Sequence, residues 1–165
     1  MIRPAGTADI PGILAVWNPF VRDTTVTFAH TPKTPADVAL LIGARAAAGY
    51  VFLIAEQAGQ VAGFATYAPF RGGEGYLRTL EHSILLAPAA RGHGLGRALM
   101  AQIEQHARAG GGHTLYAVVS GENAAGRAFH AALGYAEVAV LPDAGWKFGR
   151  WLDAVLMMKK LGIPG

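Results

Sequence analysis

Residues 91–97 read Arg-Gly-His-Gly-Leu-Gly-Arg, three alternating glycines between two guanidinium groups. Leu95, Leu99 and Ile103 recur every fourth residue, so the glycines fall where a loop turns into a helix. A helix N-terminus offers free backbone N–H groups and partial positive charge, and glycines let that backbone close on a phosphate. Arg91 and Arg97 add full charges. The arrangement reads as a diphosphate cradle, although a plain glycine-rich turn has the same spacing. Two familiar cradles do not fit. A P-loop ends Gly-Lys-Ser/Thr, whereas Gly96 precedes Arg97 and Ala98. The dinucleotide fingerprint follows a first strand with G-x-G-x-x-G, whereas this run is G-x-G-x-G in mid-chain.

Apolar periodicity places the elements around this loop. Residues 2–3 form a short strand. Thr7 is positioned to cap a helix whose apolar face is Ile13, Leu14, Val16 and Trp17. A Thr-Pro start at Thr34 opens a second helix with Val38, Leu41 and Ile42 inward. Residues 50–56 and 61–68 read as a hairpin around the turn at 57–60. A glycine-bearing loop, 70–78, leads to a strand over 80–86, and the helix from Leu95 runs to about Ala109. A strand over 115–119, a short helix over 123–133 ended by Gly134, and strands over 135–141 and 151–158 complete the chain. The order β-α-α-β-β-β-α-β-α-β-β predicts an α/β fold of the mixed kind, a mostly antiparallel central sheet with helices on both faces. No repeat or linker divides the 165 residues, so one domain over 1–165 is expected.

The totals narrow the function classes. The net charge is +3, and the basic residues are scattered with only Lys159–Lys160 adjacent, so no nucleic-acid partner is expected. The chain has no cysteine, which rules out a thioester on the protein and thiolate metal ligation. His30, His93, His106 and His113 follow no ligand spacing, so no metal is expected, and Ser83 lacks the glycines of a nucleophile elbow. The N-terminus lacks signal-peptide character, and the apolar tract 38–55 is broken by Arg45 and Gly49. A cytoplasmic protein with no membrane partner is the expectation.

Residues 91–96 resemble the coenzyme A loop of the GNAT superfamily of N-acetyltransferases, in which that loop joins the fourth strand to the third helix. Asn123, a ring residue seven positions on, and Leu133-Gly134-Tyr135 resemble the family's second pattern. The stretches IRPA, GYLRTLEHS (75–83) and KFGRWLD (147–153) are similar to the phosphinothricin N-acetyltransferase group over nearly the whole chain. The resemblance implies acetyl transfer from acetyl-CoA to the α-amine of a small amino-acid analogue of the phosphinothricin, methionine sulfoximine or methionine sulfone type. It also implies a homodimer. Alternatives within the fold are another amine (a polyamine, an aminoglycoside or a protein N-terminus) or a non-catalytic acyl-CoA-binding module.

Site roles follow from chemistry and resemblance together. Acetyl transfer needs a base for the amine, donors for an oxyanion and a proton for the departing thiolate. Glu81, on the strand leading to the loop, is the candidate base; strand alternation turns His82 to the other face. His130, where many relatives carry tyrosine, is the candidate acid. Backbone groups of Ile84, Leu85 and Leu86 are expected to stabilise the oxyanion and to pair with the pantetheine arm. Arg91, Gly92, His93, Gly94, Leu95, Gly96 and Arg97 are expected to hold the diphosphate. Asn123 is a coenzyme contact or a helix cap. Arg71, Tyr76, Arg78, Thr79 and Lys147, with Arg150, are candidate donors to a small anionic acceptor, and Phe28 is a candidate to pack against its side chain.

Overall fold

Alternating burial along the strands sets the architecture. Phe52 and Ile54 face one side of the sheet while Leu53 and Ala55 face the other, and each set enters its own apolar cluster. The computed structural model describes residues 1–162. Seven strands, β1 (Ile2–Pro4), β2 (Phe52–Gln57), β3 (Gln60–Pro69), β4 (Thr79–Leu86), β5 (Thr114–Ser120), β6 (Ala136–Lys147) and β7 (Arg150–Lys160), form one sheet in the order β1-β2-β3-β4-β5-β7-β6. All neighbours are antiparallel except β4 and β5.

Four helices cover the faces: α1 (Ile10–Asp23), α2 (Pro35–Ala47), α3 (Leu95–Ala109) and α4 (Ala124–Ala132). Ile13, Val16 and Phe20 of α1 and Val38 of α2 close over Phe52, Ile54 and Phe64. Leu99, Met100, Ile103 and Ala107 of α3 pack on Leu53, Ala65, Leu80 and Leu115, with Phe129 of α4 against the same cluster. The four-residue repeat that marks α3 is therefore its buried stripe. No helix among the described residues is long and apolar enough to cross a membrane.

The element order agrees with the periodicity, and the differences are local. The first helix starts later than Thr7 suggests: residues Thr7–Asp9 make a 3-10 turn, and Asp9 is drawn into a two-bond ion pair with Arg3. Thr34 does cap α2, accepting from Asp37 N while Asp37 accepts from Thr34 N. The sixth strand does not end at residue 141. Pro142 and Asp143 sit in a register break between Leu141 and Gly145, after which β6 continues to Lys147 and turns into β7 through Phe148 and Gly149, both at positive φ.

One feature of the pairing shapes the site. β4 pairs with β3 along its length, but with β5 only through Thr79↔Thr114, Leu80↔Leu115 and Glu81↔Tyr116. β5 continues beside β7 to Ser120↔Ala154. Beyond Glu81 and Tyr116 the two strands diverge, and each keeps one edge free of ladder bonds. Backbone groups on such edges require another partner.

Candidate active site

The split between β4 and β5 opens into two connected spaces. A groove of about 420 Å³ runs along Ile84, Leu85 and Leu86 to the start of α3 and is closed by Phe129 of α4. A cavity of about 270 Å³ lies on its other side, walled by Trp17, Phe28, Phe64, Val118 and Val119, with Glu81 and His82. Val26, Ile84, Leu85, Asn123 and His130 line both.

The groove is built from the glycine loop. Gly94 takes the N-cap of α3 at φ 77°, a left-handed conformation that costs glycine little. The first helical bond runs from Ala98 N to Gly94 O, so the N–H groups of Leu95, Gly96 and Arg97 stay outside the helix ladder. Gly96 is a close-approach position: a Cβ there would stand 2.8 Å from Leu86 and 3.0 Å from Phe129. Arg91 and Arg97 line the groove and are exposed, with the Arg91 guanidinium 6.0 Å from the Phe20 ring centre. Gly92, Gly94 and Leu95 line it too, whereas His93 is exposed and does not. Free N–H groups, dipole and two guanidinium groups make a fit for a diphosphate.

The cavity holds the titratable groups. Glu81 is partly buried and no Lys or Arg among the described residues pairs with it; burial raises its carboxyl above the ordinary value. His130, 5% exposed, directs Nδ1 to the Gly126 carbonyl at 2.7 Å. A carbonyl only accepts, so the neutral ring carries its proton on Nδ1 and presents a lone pair at Nε2. Burial also lowers its pKa. The ring as placed offers an acceptor at Nε2, so the acid role expected for it requires that nitrogen to take up a proton first. His82 is likewise 5% exposed, stacks on His130 with ring centres 5.0 Å apart, and is pushed down to about 3 by burial beside that ring. Its alternation away from Glu81 is as expected, yet it too lines the cavity because the strand edge is open there.

Several expected acceptor contacts lie elsewhere. Lys147 is 2% exposed and lines neither space; its ammonium donates to Thr27 O at 2.8 Å and Phe20 O at 3.5 Å. It clamps the connection after α1 instead of facing a ligand. Arg150 is spent on a two-bond pair with Glu122, which also accepts from the Thr25 hydroxyl. Arg71 stacks over Tyr76 at 5.0 Å, and the Arg78 and Thr79 carbonyls accept backbone bonds; none of the four lines either space. Asn123 lines both spaces, and its Oδ1 caps α4 by accepting from Gly126 N at 2.9 Å. Phe28 does line the cavity, packed so tightly on Gly145 that a Cβ there would overlap its ring.

Trp17, Phe64, Val118 and Ser120 also wall the cavity, with no signal in the sequence that marks them. Each sits on an ordinary apolar or alternating stretch, and only the divergence of β4 from β5 exposes them to one space. No group of three or more metal-binding side chains comes together among the described residues.

Comparison with known proteins gives the family and the fold. The profile of the Acetyltransferase (GNAT) family matches residues 16–135. A curated relative from Pseudomonas paraeruginosa, an L-methionine sulfoximine/L-methionine sulfone acetyltransferase, is 42% identical over 161 residues, spanning 97% of this chain and 94% of its own. The crystal structure of a Sinorhizobium meliloti phosphinothricin acetyltransferase in complex with AcCoA is 33% identical, with a TM-score of 0.92, over 98% of this chain and 88% of the other. A Brucella melitensis structure described as a ribosomal-protein-alanine N-acetyltransferase is 39% identical, with a TM-score of 0.93, over 97% and 99%.

Proposed function

We propose, from the premise that this chain belongs to the GNAT acetyltransferase family and is an N-acetyltransferase, that its preferred acceptor is the α-amine of a small amino acid with an uncharged polar side chain. Methionine sulfoximine and methionine sulfone are of this type. One observation carries the preference: the cavity at Glu81 is walled by aromatic and aliphatic side chains, and no Lys or Arg among the described residues lines it. Every amino-acid acceptor brings an α-carboxylate, and a phosphinate would add a second anion to a cavity with no cation among the described residues, which favours an uncharged side chain over the arginine-gripped anionic one expected from the loop 70–78. A cavity of about 270 Å³ also suits an amino acid better than an aminoglycoside.

The groove residues fit acetyl-CoA: the free N–H groups of α3 with Arg91 and Arg97 for the diphosphate, and the open edge at Ile84, Leu85 and Leu86 for the pantetheine amides. When bound, acetyl-CoA supplies the acetyl group as an activated thioester. Glu81 takes a proton from the acceptor ammonium, a task suited to a carboxyl whose pKa is raised toward the working pH. N–H groups on the β4 edge stabilise the oxyanion. Acetyl-CoA as the sole cosubstrate, with no metal, is part of the proposal.

The proposal extends to a single acetyltransferase domain, a cytoplasmic location without nucleic-acid or membrane partners, and a homodimer. The dimer is supported by an exposed apolar patch on the β6–β7 hairpin that includes Val140, Trp146, Phe148 and Trp151.

The test is kcat/KM across acceptors. Methionine sulfone and sulfoximine should exceed phosphinothricin, and all three should exceed spermidine, an aminoglycoside and an alanine-terminated peptide. Preference for the peptide or a cationic amine would overturn the assignment.

A further inference from the structure

Four buried side-chain polar atoms find no protein partner among the described residues: His82 Nδ1 and Nε2, Ser120 Oγ and His130 Nε2. All three residues line the same cavity. Buried polar groups in folded proteins are almost always satisfied, so each exception calls for an explanation. Packing does not explain His82. It packs in a triangle with the rings of His130 and Tyr135, at 5.0 and 5.6 Å, where phenylalanine would fill the same space without two orphaned nitrogens. Here the orphans line one roomy cavity, and several polar atoms beside open space are what an ordered water requires.

We propose that His82 is a positioning residue for acetyl transfer: with Ser120 it holds ordered water in the acceptor cavity beside His130 Nε2, and this water carries a proton from the acceptor nitrogen to His130. The inference rests on the reading of that cavity as the acceptor site. Turning an ammonium into an amide removes two protons. Glu81 takes the first. The second N–H bond breaks after nitrogen bonds to the acetyl carbon; its proton passes to the water, and the water gives one of its own to His130 Nε2, while the C–S bond breaks and coenzyme A leaves as its thiolate. One N–H bond breaks, one forms, and the water is returned unchanged.

The Nδ1–H bond to Gly126 O is what keeps Nε2 as the receiving atom. The groups around His82 suit a neutral ring: His130 from α4, Tyr135 ahead of β6, and Glu81 adjacent on its own strand but on the opposite face. Glu104 and Lys159 engage Tyr135 from beyond, through its hydroxyl and its ring face.

His82→Phe keeps the stacked shape and removes the nitrogens, and His82→Gln restores a donor and an acceptor. His82→Phe should lose at least about tenfold in kcat, a modest share of the usual range for proton-transfer catalysis. Its KM for acetyl-CoA should stay within about twofold and its Tm near wild type, since phenylalanine keeps the stacked shape and the bonds it gives up are to water. His82→Gln should recover part of kcat. Wild-type kcat in His82→Phe, or a loss matched by a fall in Tm with His82→Gln no better, would overturn the proposal. Should His82→Phe not fold, water-to-imidazole cross-relaxation in the ¹⁵N-histidine wild type decides: a bound-water signal at His82 supports the site, and its absence refutes it. Wild-type enzyme that shows the water signal but acetylates no amino acid would count against the acceptor reading and not against the water site.

Discussion

Replacing Lys147 with methionine separates a clamp from a substrate contact. The side chain is 2% exposed and its ammonium donates at 2.8 Å to Thr27 O, with a longer bond at 3.5 Å to Phe20 O. Methionine keeps most of the stem but has no donor, so the Thr27 carbonyl is left without its partner. A charged hydrogen bond contributes about 1.5–3 kcal/mol, and an orphaned buried acceptor costs about 1–3 kcal/mol. The two overlap, and removing a buried charge gives some back: burial already lowers the Lys147 pKa. A net loss of about 2–3 kcal/mol is expected, which for a chain of this size lowers Tm by about 5–10 °C. Thr27 and Phe28 wall only the acceptor cavity, so the KM for the amino acid should rise while the KM for acetyl-CoA stays near wild type. Thermal melting and two-substrate kinetics read both effects. Unchanged Tm with a weakened acceptor KM would show that Lys147 touches the substrate, and the clamp argument would fail.

Glu81→Gln should lose about 10²–10⁴-fold in kcat while still binding acetyl-CoA, and wild-type turnover would remove Glu81 from the mechanism. Because burial raises the Glu81 pKa above 4.5, kcat/KM should climb with pH along a limb displaced upward from that value, and the variant should lack this limb. The same sign applies to stability. A carboxyl with a raised folded pKa weakens the fold as pH rises through the unfolded value, so Glu81→Gln should be at least as stable as wild type at neutral pH. Gly96→Ala places a Cβ 2.8 Å from Leu86 and 3.0 Å from Phe129, both groove walls. Overpacking of about 1–3 kcal/mol, partly offset by about 1 kcal/mol of helix propensity, should lower Tm by no more than about 8 °C and raise the KM for acetyl-CoA about tenfold; calorimetric binding of coenzyme A checks it.

Element types and order were legible because burial follows period: the Leu95–Leu99–Ile103 stripe and the alternating β2 and β3 strands are local signals. The glycine loop was legible because Gly94 and Gly96 meet demands set within a few residues and by one facing helix. Pro142 read as a strand end because a bulge and a break look alike until the partner strand is seen. Lys147 read as a ligand contact because its acceptors, Phe20 O and Thr27 O, lie more than a hundred residues away. A lysine between Trp146 and Phe148 inside an alternating strand was the one local hint of an inward ammonium. His82 was set aside by alternation, correctly for its face. Its access to the cavity depends on where β4 leaves β5, a register that no single segment encodes.

The most direct measurement is coenzyme A release from acetyl-CoA and methionine sulfone, followed with a thiol reagent, which a chain without cysteine does not itself consume. Fast release is expected, with the acetyl group recovered on the α-nitrogen of the sulfone. No release from the sulfone, sulfoximine or any ordinary amino acid, under conditions where acetyl-CoA binds, would contradict it.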